Sequence, residues 1–180
     1  MDLMDLLKAS GGDNSLGELA KTVGLGSGDT TNLVKALAPA LMRGMQKNTA
    51  DDSGLAGLRR ALETGGHDRY LDKPELLASE ETRTDGNNIL GHIFGSKDVS
   101  RNVAGAAAKE TGIDISMIKK ALPLLATLAM GAMSKKTSGG KDLGSSLSKG
   151  GLGPLGDLLN MGGKSGGGLD DILGMARKFF

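Results

Sequence analysis

The 180-residue chain sets 22 Lys+Arg against 21 Asp+Glu, a formal net charge of +1. It therefore lacks the broad positive field of a dedicated nucleic-acid binder, although a local basic patch is compatible with that balance. The absence of cysteine excludes disulfides, thiolate nucleophiles and Cys-ligated zinc, and with no Trp and one Tyr there is almost no platform on which bases could stack.

The chain opens on Met1-Asp2-Leu3-Met4-Asp5, acidic where a signal peptide is basic, and its apolar run is broken. A cytoplasmic protein is expected on that ground. Leu3, Leu6 and Leu7 share one face of a first helix that ends at Gly11-Gly12. Ser15 and Glu18 read as a capping box for a short helix over 16–23, stopped by Gly24. Asp29 or Thr30 then caps a longer helix with its apolar stripe at Leu33, Leu37, Leu41 and Met45; Lys35, Arg43 and Lys47 lie off the stripe. Pro39 is expected to kink or divide this helix. A short amphipathic helix follows on Leu55, Leu58 and Leu62, ending at Gly65-Gly66.

Residues 67–84 are polar and weakly patterned, with Pro74 able to start a short helix carrying Leu76 and Leu77. Asp85-Gly86-Asn87-Asn88 reads as capping residues for a turn on Ile89, Leu90, Ile93 and Phe94, closed by Gly95. Lys97 to Thr111 forms the next helix, with Val99, Val103 and Ala107 inward and Gly112 as its stop. Asp114 or Ser116 caps a helix that, beyond Lys120, is apolar nearly all round as far as Ser134, with Pro123 marking a kink or a second start. Such a helix is either the centre of the domain or a subunit interface. Its uncharged stretch 121–134 falls short of the roughly 20 residues of a membrane span, so no span is expected.

From 137 to 168 the chain is rich in Gly, Ser and Lys, the composition of a flexible linker, interrupted by Leu152, Leu155, Leu158 and Leu159. Residues 169–180 return to an amphipathic pattern on Leu169, Ile172, Leu173 and Ala176 and end on Phe179-Phe180. Asp170 and Asp171 suit the start of that helix, and Arg177 and Lys178 its end.

A shift of 88 positions aligns Ala20-Lys21 with Ala108-Lys109, Gly24 with Gly112, Leu37-Ala38 with Leu125-Ala126, and Met42 and Met45 with Met130 and Met133. Units 15–48 and 97–136 therefore read as a possible internal repeat of short helix, glycine stop and long helix. In the second unit Leu124 and Leu128 replace Ala36 and Ala40, and Gly131 replaces Arg43, so its long helix should be the drier one. The expected fold is all-α: a multi-helix bundle of two related helix-turn-helix-like units over 1–136, then the linker and a terminal amphipathic helix.

No chemistry-bearing constellation emerges. A DNA-reading helix needs Arg, Lys, Asn or Gln at its start, where the first unit has Asp29, Thr30, Thr31 and Asn32 and the second Ser116, Met117, Lys119 and Lys120. Gly162-Gly163-Lys164-Ser165 lacks the earlier glycine and the preceding strand of a phosphate loop. Asp85-x-Asn87 lacks the Gly and distal Glu of a calcium loop. His67, beside Asp68 in a polar stretch, reads as solvated, and His92 as a helix-surface or packing residue. No cofactor or metal is expected. The residue pattern points to a non-enzymatic protein-interaction or self-assembly module, with an unknown protein or a second copy as partner. Its expected contact residues are Leu124, Leu128 and Met130 on the apolar helix and Leu173, Phe179 and Phe180 on the tail. A DNA-associated module and an enzyme of unknown reaction are the alternatives.

The stretch Asp85-Gly86-Asn87-Asn88-Ile89-Leu90-Gly91-His92-Ile93-Phe94-Gly95-Ser96-Lys97, the Pro-containing apolar run 121–133 and the closing segment 169–180 resemble the bacterial family catalogued as domain of unknown function 937. The chain is also distantly similar to the YidB-like proteins. The resemblance implies a helical, homeodomain-like fold and no established activity, hence no functional residue to transfer. Members often carry an acidic run before the closing segment. Here Gly162 to Gly168 with Lys164 stands in its place, so a metal role for that run is not implied.

Overall fold

The computed structural model describes residues 3–48, 50 and 52–139. Contacts divide the chain into Met1–Gly144 and Ser145–Phe180, and every described residue lies in the first unit. The expected terminal helix and all but the first three residues of the expected linker, and with them Leu173, Phe179 and Phe180, lie outside the described residues.

Among the described residues the fold is all-α: α1 (Leu3–Ala9), α2 (Asp13–Val23), α3 (Ser27–Asn48), α4 (Asp52–Thr64), α5 (Arg69–Asp72), a 3-10 turn (Pro74–Ala78), α6 (Glu80–Phe94), α7 (Lys97–Thr111) and α8 (Ile115–Lys136). α2, α6 and α7 each stop on a left-handed glycine, Gly24, Gly95 and Gly112, whose N–H returns to the carbonyl four residues back. A side chain at those positive φ values would meet the steric penalty that glycine avoids.

α8 is the centre. Every residue from Ala121 to Ser134 is buried, and the helix packs against all seven of the others, most extensively α6. With no polar face to offer water, it is stable only where partners surround it. Its 22 residues and mean hydropathy of 1.3 over an 18-residue window suffice for a membrane crossing by length and composition, but 72% of that window is buried inside the fold, as in the core helix of a bundle. The expectation that its apolar run was too short for a span considered only 121–134, whereas the helix extends to Ile115 and Lys136. Leu124, Leu128 and Met130 are 3, 0 and 2% exposed. They belong to the core of one chain, and of the two readings of this helix the structure has the domain centre.

α3 has the same length as α8, and both of its bounds fall 88 positions earlier. It keeps the wet face that α8 lacks: Lys35, Arg43 and Lys47 are exposed while Leu33, Leu37, Leu41 and Met45 are buried. Neither proline breaks its helix. Pro39 is exposed, so the Lys35 carbonyl that its missing N–H leaves unpaired faces a wet side.

Three helix starts differ from the expected caps. α2 begins at Asp13, before Ser15, whose buried hydroxyl instead donates to the Tyr70 carbonyl at 3.2 Å. α3 begins at Ser27, placing Asp29 and Thr30 inside it. α6 begins at Glu80, capped by Ser79, whose hydroxyl accepts from the Thr82 N–H at 3.2 Å. Asp85 to Asn88 therefore sit in mid-helix, where they serve contacts between helices.

Candidate functional site

α6 carries the segment with the most distinctive sequence, and its faces meet four different surroundings. On one face Gly86 lies against α8. A Cβ there would come within 2.1 Å of the Pro123 carbonyl oxygen, so only glycine allows the two helices to cross this closely. One residue earlier, Asp85 accepts from the Tyr70 hydroxyl and from Arg69 Nη2 at 3.1 Å. The same Arg69 nitrogen donates to Tyr70 Oη at 2.7 Å, and its guanidinium carbon lies 4.8 Å from the centre of the Tyr70 ring. Burial, then the bond to Asp85, raises the Tyr70 hydroxyl pKa above its usual value. The network ties α5 to α6 across the polar stretch 67–84, which thus supplies the buried Tyr70, Leu71 and Leu77.

His67 belongs to this corner. It is 7% exposed, stacks on Tyr70 with ring centres 6.2 Å apart, and has a buried Nδ1 with no hydrogen-bond partner. Burial lowers its pKa, with Arg69 acting in the same direction against Asp85 and Asp68. The expectation of a solvated histidine is corrected: the sequence around it is polar, but α8 passes beneath, where a Cβ on Gly131 would lie 2.5 Å from the His67 carbonyl oxygen.

Two clefts flank α6. The first is an apolar cavity of about 250 Å³ between α6, the end of α3 and α4; Met45, Leu58, Ile89, Ile93 and Met130 line it, with His92 also at its wall. α4 roofs this cleft with little anchorage, since Leu62 is its only buried residue and α8 its main contact. Gly54 allows the start of α4 to press on Asn48, because a Cβ there would fall 1.6 Å from that carbonyl oxygen. His92 is exposed, as a helix-surface residue should be. Met130 is thus a core residue that also contributes to the wall of a cleft.

The second cleft, about 530 Å³, opens between α6, the start of α7 and the start of α8. Asn87, Asn88, Lys97, Ser100, Arg101 and Lys119 line it over an apolar base that includes Leu122 and Pro123. Patterning picked out Asn87 and Asn88 only as capping residues and Lys97 only as a helix start, and did not pick out Ser100 or Arg101. One signal was available: two adjacent asparagines are poor helix formers in a helix interior, where they cap nothing.

The residues weighed for DNA reading do not converge. Thr30 and Thr31 spend their hydroxyls on the carbonyls of Gly26 and Ser27 in their own helix. In α8, Ser116 is held by Asp114, while Lys119 and Lys120 are exposed. Val99, expected inward, is 41% exposed; Ala107 is buried as expected, and Ala104 is buried with it. Among the described residues no three His, Asp or Glu side chains come together as a metal site would require.

No curated protein and no solved structure matches the chain. The family described as bacterial protein of unknown function (DUF937) matches residues 5–136, ending on the last residue of α8, and the chain belongs to that family.

Proposed function

We propose that the protein is a non-enzymatic protein-interaction module that self-assembles, the apolar cleft under α4 receiving the terminal segment 169–180 of a second copy. The observation that carries this reading is the cleft itself: open, lined by Met45, Leu58, Ile89 and Ile93, and roofed by a helix held through one buried leucine. A cleft of this kind takes the apolar face of an amphipathic helix through anchors spaced three and four apart. Segment 169–180 offers such anchors in Leu169, Ile172, Leu173 and Ala176, with Phe179 and Phe180 as larger ones. From Gly139 to Leu169 the chain can reach at most about 100 Å, which brings a neighbouring copy within range. Each copy supplies one cleft and one tail, so a two-fold exchange fills both clefts and closes the assembly.

Light scattering on the full chain over a range of concentrations tests the idea. A dimer that grows with concentration is expected, lost in Leu173→Lys and in Leu58→Lys, and partly restored when the two variants are mixed, because one intact tail then meets one intact cleft. A monomer at every concentration, or self-association untouched by Leu173→Lys, refutes it.

A further inference from the structure

We infer that the polar cleft on the other side of α6 is a binding site for a small ligand carrying a diphosphate group. Three cations, Lys97, Arg101 and Lys119, reach it from two helices, and no acidic side chain lines it. Arg101 shares one nitrogen with Asp98 at 3.1 Å, which leaves the rest of its five-donor fork for a ligand. Neither Lys97 nor Lys119 has an ion-pair partner among the described residues. Charges of one sign gathered in a concave site focus the field there and favour an anion of matching charge.

The rest of the lining is complementary to phosphate oxygens. Asn87 and Asn88 bring amide N–H donors from α6, while the Ser100 hydroxyl on α7 donates to the Ser96 carbonyl at 3.4 Å and would have to leave it to meet a ligand oxygen. Among the described residues these two asparagines and the cations cap no helix and make no side-chain hydrogen bond beyond the Arg101–Asp98 pair, so no contact within the fold accounts for gathering them here. Size also favours a small molecule, since about 530 Å³ falls within the range of small-molecule pockets. A polymer fits less well: the cations converge in a hollow rather than along an outer face, and no aromatic side chain lines the cleft on which a base could stack. The recognised element is therefore the diphosphate, whether free or as part of a nucleotide.

Calorimetric titration of the full chain with pyrophosphate at low ionic strength tests the site, with ADP and a short DNA duplex as separate arms. Saturable one-to-one binding of pyrophosphate is expected, weakened at least tenfold by Lys97→Gln and by Lys119→Gln and unaffected by Lys35→Gln, an exposed lysine outside the cleft. ADP binding more tightly than pyrophosphate identifies a nucleotide as the source of the diphosphate; equal binding identifies the free anion. Absence of saturable pyrophosphate binding overturns the inference. So does equal weakening by Lys35→Gln, which means diffuse charge attraction, or binding of the duplex alone, which assigns these cations to a nucleic-acid surface.

Discussion

Replacing Gly86 with alanine tests whether the close crossing of α6 and α8 organises the bundle. The new methyl would sit 2.1 Å from the Pro123 carbonyl oxygen and 2.5 Å from its carbon. Carbon atoms in contact prefer about 3.5–4 Å, so the helices must separate by roughly 1 Å. The opposing atoms are backbone, and no side-chain rotation relieves the overlap. Overpacking of this kind costs about 3 kcal/mol at the upper end of its usual range. Alanine returns about 1 kcal/mol through its better helix propensity. The net loss is about 2 kcal/mol, a fall in Tm of roughly 4–8 °C for a chain of this size. Gly17→Ala supplies the contrast: that position is exposed in α2 with nothing within 4 Å of the added methyl. Only the propensity gain remains, so Tm should rise by roughly 2–4 °C. Thermal melts followed by circular dichroism read both. If Gly86→Ala melts at or above the parent temperature, the crossing does not depend on the missing side chain.

Three other perturbations have definite expected outcomes. Tyr70→Phe removes the hydroxyl that joins Arg69 to Asp85 and should cost about 1.5 kcal/mol in urea unfolding, as for a hydrogen bond to a charged group. Stability should also fall with pH through His67. Its folded pKa lies below the unfolded 6.5 because burial disfavours the charged ring, so the unfolded chain binds the extra proton. That contribution is complete above about pH 6.5 and is lost as the pH drops from there toward the folded pKa, at no more than about 1.4 kcal/mol per pH unit; His67→Gln should flatten this part of the profile in urea titrations at pH 8, 6.5 and 5. Leu62→Ala removes the one buried residue of α4, so hydrogen exchange should accelerate over 52–64 while α8 stays protected, consistent with local rather than global opening.

Most of the fold was legible in the chain because its devices are local. Glycine stops at Gly24, Gly95 and Gly112, the stripe on α3 and the dry helix α8 each follow from residues within one or two turns. Misreadings arose where a residue serves a distant partner. Ser15 has the spacing of a cap but bonds Tyr70, 55 positions away. Asp85 and Gly86 look like turn residues because turns are their usual setting, yet one accepts from Tyr70 and the other makes room for Pro123. His67 lies in a polar stretch that folds over the core, so its neighbours in sequence were a poor guide to its neighbours in space. The clefts could not be read at all, since the apolar one combines residues from four helices and the polar one from three, and no periodicity links Lys97 to Lys119 or Leu58 to Ile93.

The helix that every other helix needs is also the last of them to leave the ribosome. Until residue 136 emerges, the apolar sides of α1 to α7 have no common surface to close on, and the nascent chain presents them to chaperones or to one another. At least 44 further residues follow Lys136, which at bacterial and eukaryotic elongation speeds takes roughly 2–9 s. The trailing segment thus gives α8 time to reach its place while the chain is still attached. A version ending at Lys136 would release its core helix into solution only at termination, and should show a larger share of aggregated product for the same native stability.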